Sequence, residues 1–188
     1  MANAAMHRES LVRTAMRLFR RQGYASTGLQ QILVESGAPR GSLYHYFPDG
    51  KEELGAAAVE LAGALVDEML SDLAKRHASS EAFVRAYVRV MAGWMEESAF
   101  RSGCPIATTL LECAPESPAI TEAGRAAFDC WIGTIAAVFE RDGTPRREAR
   151  REAEQLIASV EGALIVSRIR GAGRPILDVA RRYRSARS

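Results

Sequence analysis

Leu11, Ala15, Leu18 and Phe19 fall at i, i+4, i+7 and i+8, which puts them on one stripe of a helix running from about His7 to Gln22. Arg13, Arg17, Arg20 and Arg21 flank the stripe, and Gly23 is placed to end the helix as a left-handed cap. Leu29, Ile32 and Leu33 repeat the helical spacing between Thr27 and Gly37. Thr27 and Gln30 have capping-box spacing, so the hydroxyl is expected to accept from a backbone N–H three residues on and a second helix to start at Thr27. Pro39 suits a first helical turn because its fixed φ and missing N–H cost nothing there, which predicts a third helix over about Pro39 to Tyr46. Only Gly37 and Ala38 then separate the second helix from the third, the connection of a helix-turn-helix.

The third helix turns Leu43 and Phe47 inward and shows Arg40, Ser42, Tyr44 and His45 to solvent, a polar and aromatic face suited to a DNA major groove. Pro48 and Gly50 break the chain. Asp49 with Glu52 then repeats the capping-box spacing before a long fourth helix to about His77. Further helices are expected over about Ser80 to Ala99, Cys104 to Cys113, Pro118 to Arg141, Pro145 to Arg170 and Pro175 to Ser185, with Gly, Pro or Ser at each break. No stretch alternates as a strand does. The fold class is therefore all-α, about nine helices, with a helix-turn-helix head over residues 1–48 and a larger helical body over residues 49–188.

Composition narrows this picture. With 188 residues and 47% hydrophobic positions, the chain can bury one generous core or two small ones. No apolar run reaches the roughly 18 to 20 residues that span a bilayer, and Met1 to His7 lacks the pattern of a signal peptide, so a cytoplasmic, non-membrane protein is expected. The net charge of +2 conceals a polarised layout. Residues 1–51 hold seven Lys and Arg against three Asp and Glu, residues 52–167 eleven against nineteen, and residues 168–188 seven against one. A basic amino-terminal quarter favours a polyanion partner there, although a solvated charged face would also carry such an excess.

Catalysis has no constellation to work with. His7, His45 and His77 are far apart, and no HExxH, GxSxG or P-loop spacing occurs. Cys104, Cys113 and Cys130 are an odd count without CxxC spacing, so neither a disulfide framework nor a metal site is indicated and buried free thiols are expected. Neither metal nor cofactor is expected. Thr27, Ser42 and Lys51 offer two hydroxyls and a charge near helix amino termini, which makes them candidate phosphate clamps, and Arg40 is the side chain best able to grip a guanine edge in bidentate fashion.

Three stretches of this sequence resemble the tetracycline-repressor (TetR) family of bacterial regulators, in its LmrA/YxaF-like branch. They are Thr27-Gly28-Leu29-Gln30-Gln31-Ile32, Gly37 through Pro48, and Gly50-Lys51-Glu52-Glu53-Leu54. Gly103-Cys104-Pro105-Ile106 and Leu110-Leu111-Glu112 resemble the same branch more weakly. Pro39 departs from the usual capping serine, and Pro48-Asp49-Gly50-Lys51 carries one extra residue. The resemblance implies an all-helical homodimer with a DNA-binding head and a ligand-binding body. It gives Tyr44 a phosphate or base contact and His45 a phosphate contact, with a double-stranded operator as the partner.

Within the body, Tyr87, Met91 and Trp94, with Phe128 and Trp131, form bulky adaptable apolar surface. Core packing is the plain explanation, and the resemblance adds a pocket for a small apolar or aromatic effector. Thr108 or Glu112 would orient such a ligand. Cys104 beside Pro105 either lines the pocket, packs, or acts as a redox switch. Leu156, Val160, Leu164 and Ile165 belong to an apolar surface wider than one neighbouring helix covers, which points to a dimer interface, with single-chain packing as the alternative. The functional expectation is a ligand-released repressor on a palindromic operator. A helical small-molecule carrier or sensor with a vestigial DNA head is the alternative.

Overall fold

The computed structural model describes residues 2–183, and all its regular elements there are helices. They are α1 (Ala2–Gln22), α2 (Leu29–Ser36), α3 (Ser42–Tyr46), α4 (Lys51–Arg76), α5 (Ser80–Glu97), α6 (Ala107–Cys113), α7 (Pro118–Arg141), α8 (Arg146–Arg170) and α9 (Arg174–Val179), followed by a 3-10 turn over Ala180–Tyr183. The expected end of the last helix at Ser185 lies outside the described residues.

One compact unit comprises Met1–Leu65 with Cys104–Ala127, and a second comprises Val66–Gly103 with Phe128–Ser188. Helices α4 and α7 each run through both units. The unit that holds the head thus reaches beyond residue 48.

In the first unit, the stripe Leu11, Ala15, Leu18 and Phe19 is fully buried against Ile32, Leu43, Phe47 and Leu54. Burying each large side chain contributes roughly 1.5 to 3 kcal/mol, which is how five-residue α3 is held although it is too short to be stable alone. Helix α1 packs on α2, α3 and α6. Two capping expectations are corrected. Helix α2 has Gly28 at its amino-terminal cap and no side-chain cap bond; Thr27 is buried, and its hydroxyl donates to the Gly23 carbonyl at 2.6 Å. Before α4 it is Glu53, not Glu52, that accepts from the Asp49 N–H, at 3.2 Å, while Glu52 accepts from the Ser117 hydroxyl at 2.5 Å. Pro39 likewise precedes a turn closed by Ser42 N–H on the Pro39 carbonyl at 2.9 Å, and α3 begins at Ser42.

In the second unit, α5 buries Phe83, Val84, Tyr87, Val88, Met91 and Met95, and α8 buries Leu156, Ile157, Val160 and Leu164. Helix α9 packs on both of these helices and adds Ile176. Polar ties fix the ends: Asp142 accepts from the Ser80 N–H at 2.5 Å, and Arg141 donates to the carbonyls of Ala74 at 3.1 Å and His77 at 2.8 Å. Thr134 on α7 donates to Asp67 on α4 at 2.7 Å.

Candidate nucleic-acid interface

Gly37, at φ 68°, ends α2 with its N–H directed to the Val34 carbonyl. The Ser36 side chain then takes the Ala38 N–H at 3.2 Å, and the Ser10 hydroxyl donates to the Ser36 carbonyl at 2.7 Å, which pins the turn to α1. From this turn α3 sends Leu43 and Phe47 into the core with no exposed surface. Tyr44 is 64% exposed, and Arg40 and His45 are also exposed. The Arg8 guanidinium lies 5.3 Å from the Phe47 ring centroid, adding a cation from α1 close to the end of the same helix. Such burial of one face and exposure of rings on the other is what a groove-reading helix requires, because an isolated tyrosine-histidine surface gains nothing for folding.

The flanking residues have more varied placements. Ser42 is half-buried and its hydroxyl donates to the Pro39 carbonyl at 2.6 Å, so in this conformation its proton is already engaged. Thr27 does not fit a side-chain phosphate contact, since it has no exposed surface and its hydroxyl is committed to Gly23. Lys51 stands with its ammonium 4.4 Å from the Tyr24 ring centroid and 3.5 Å from the Ala25 carbonyl. Partial burial draws its pKa below that of an ordinary lysine, opposed by the charges of Cys113 and Glu112. Burial, reinforced by Cys113 and Glu52, pushes the Tyr24 phenol up to about 12. On α2, Glu35 accepts from Gln31 at 2.8 Å and Arg17 at 2.7 Å, and these bonds hold its carboxyl below the usual range.

Residues 11–58 match the family model described as bacterial regulatory proteins, tetR family, and residues 80–182 match that of the transcriptional regulator LmrA/YxaF-like C-terminal domain. The chain belongs to the TetR family of transcriptional regulators. It is similar to the HTH-type transcriptional regulator YxaF of Bacillus subtilis, at 31% identity over 92% of this chain and 91% of that protein. It is also similar to the HTH-type transcriptional regulator Rv0196 of Mycobacterium tuberculosis, at 34% identity over 95% and 92%. A crystal structure of a TetR transcriptional regulator from Chloroflexus aurantiacus superposes at a TM-score of 0.82 with 29% identity, covering 97% of this chain and 94% of that one. The helix-turn-helix is therefore a DNA-binding element, and the family is one of regulators and not of enzymes.

In this TetR-family chain the residues expected to meet an effector divide between the units. Tyr87 and Met91 on α5 and Trp131 on α7 are buried in the second unit, with Trp94 and Phe128 half-buried. Phe128 and Trp131 meet edge to face at 5.0 Å, and Tyr87 stacks on Phe83 at 6.4 Å. Cys104, buried, and Thr108, half-buried, belong to the first unit. Glu112 faces the turn after α1, accepting from the N–H groups of Tyr24 and Ala25. That contact had no signal in the local pattern.

The interface residues need correction. Leu156, Val160 and Leu164 are buried inside the chain's own second unit, where a partner cannot touch them. Ile165 is exposed on the opposite face of α8, and Val166 and Ile169 lie beside it. The stripe was wide because α8 is apolar on two faces. Cys130 is likewise exposed where a buried thiol was expected, with Cys104 and Cys113 buried. Among the described residues no cluster of metal-ligating side chains occurs, and no helix is long and apolar enough to cross a membrane.

Proposed function

We propose that this chain is a cytoplasmic repressor that binds a palindromic operator as a homodimer and releases it when a small apolar or aromatic effector enters the body. The supporting observation is the outward display of Arg40, Tyr44 and His45 on a helix whose other face is sealed into the core. One such helix covers too few base pairs for tight specific binding, whereas two copies roughly 34 to 36 Å apart read successive major grooves. Residues 1–48 serve as the DNA-binding domain and residues 49–188 as the effector and dimer domain. Ile165, with Val166 and Ile169, supplies apolar surface on α8 for pairing. Tyr87, Met91, Trp94, Phe128 and Trp131 are the residues we assign to the effector. Helix α4 runs unbroken from Lys51 beside the head to Arg76, so a change in its tilt on ligand binding moves the head. An effector with a coupling of about 1 to 3 kcal/mol weakens operator binding roughly 5- to 150-fold.

Retention of genomic fragments on filters at two salt concentrations tests the DNA reading. Sequence-selective retention is expected, with Tyr44→Ala weakening it while leaving the thermal midpoint near that of the native protein. Arg40→Ala should relax base preference, and Lys51→Ala should weaken all sequences alike and lower the salt slope by about one. A protein that retains no fragment selectively is instead a carrier or sensor. For the effector, the two tryptophans of the chain, Trp94 and Trp131, both belong to the assigned set. Their fluorescence should therefore respond to those aromatic compounds that also release the fragment.

A further inference from the structure

The turn between α1 and α2 is closed almost entirely by its own neighbourhood. The Thr27 hydroxyl donates to the Gly23 carbonyl at 2.6 Å, the Thr27 N–H to the Tyr24 carbonyl at 3.1 Å, and the Gln22 amide to the Ser26 carbonyl at 3.1 Å. Lys51 approaches the Ala25 carbonyl and covers the Tyr24 ring, whose other partner is Phe19, 5.1 Å between centroids. The amides of Tyr24 and Ala25 find their acceptor outside the turn. Gly23, at φ 91°, has a left-handed backbone just before them. Both donate to one carboxylate, Tyr24 to Oε1 of Glu112 at 3.2 Å and Ala25 to Oε2 at 2.6 Å. A Cβ on Gly23 would lie 2.4 Å from that Oε1, so the glycine also makes room for the carboxylate. Glu112 sits in the last turn of α6, which packs on α1.

We propose that Glu112 is a positioning residue for DNA binding: its carboxylate, seated on the Tyr24 and Ala25 amides, fixes the direction in which α2 and α3 leave α1 and ties that direction to the position of α6. The proposal rests on the assignment of α3 as the helix that meets DNA. The role is indirect, because a carboxylate repels phosphate. Were Glu112 merely close to the duplex, removing its charge would tighten binding; as a positioning group, removing it loosens binding.

Glu112→Gln keeps the shape but replaces one of the two accepting oxygens with an NH2 donor, so the two amides can no longer each have an oxygen of their own. Hydrogen exchange of the Tyr24 and Ala25 amides should accelerate while slow amides of α8 stay protected. Retention of a selected genomic fragment should weaken about 2- to 30-fold with an unchanged salt slope. Glu112→Asp, which preserves the charge on a shorter arm, should fall between. The tie to α6 is read through Gly124→Ala, whose Cβ would come 2.4 Å from Cδ2 of Leu110, two residues before Glu112. That variant should weaken retention in the native background and add little in Glu112→Gln. Native exchange rates at Tyr24 and Ala25 in Glu112→Gln, equal or tighter fragment retention, or strictly additive effects of the two substitutions would overturn the proposal. A native protein that retains no fragment would instead strike the DNA reading, and the exchange rates would still decide whether the carboxylate holds the turn.

Discussion

Replacing Gly23 by alanine should cost more than replacing Gly37, although both glycines have left-handed backbones. Gly37, at φ 68°, has nothing within 4 Å of an added Cβ, so Gly37→Ala carries only the conformational cost of about 1 to 2 kcal/mol. Gly23, at φ 91°, carries at least that cost, and its Cβ displaces the Glu112 carboxylate from the turn. Glu112 is exposed, so water replaces the lost partners and the added cost is about 1 kcal/mol. The gain from a stiffer unfolded chain is the same for both substitutions and cancels in the comparison. At roughly 2 to 4 °C per kcal/mol for a chain of this size, Gly23→Ala should melt about 2 to 4 °C below Gly37→Ala. Calorimetry on both variants, alone and in a Glu112→Ala background, measures it, the gap being expected to narrow in that background. Equal midpoints for the two glycine variants, or a gap that is unchanged without Glu112, would refute the claim that the carboxylate occupies this turn.

The two faces of α8 should respond differently to substitution. Leu156→Ala removes a fully buried side chain and should cost about 2 to 5 kcal/mol in chemical unfolding at any protein concentration, whereas Ile169→Asp, at a side chain 80% exposed, should leave monomer stability nearly unchanged and shift sedimentation toward the monomer. The Asp142 carboxyl is held below its ordinary pKa by hydrogen bonds from Ser80, aided by Arg141. Its contribution is therefore present at neutral pH and lost as pH falls through the lowered value. Asp142→Asn should be less stable than the native protein at pH 7, with the difference in urea midpoint vanishing in acid.

Local pattern sufficed for the helices because helix formation and termination are local events. The period of Leu11, Ala15, Leu18 and Phe19 located α1 and its buried face, Gly37 and Gly171 ended α2 and α8, and Leu43 with Phe47 oriented α3. The same pattern misassigned Thr27. Capping-box spacing offers its hydroxyl to the helix, but Gly23 turns a carbonyl within 2.6 Å and receives the proton instead.

What the amino-acid order determined by itself is the set of helices, their apolar faces and the outward tyrosine-histidine pair, since all of these follow from contacts within a few residues and from the helical period. Tertiary structure alone decided which apolar face of α8 is spent inside the chain and which, at Ile165 and Ile169, stays exposed. It alone brought Glu112 to the Tyr24 amide, 88 residues away in sequence. Periodicity states that a face is apolar and a side chain is charged. Only packing, which joins distant segments, states what each one meets.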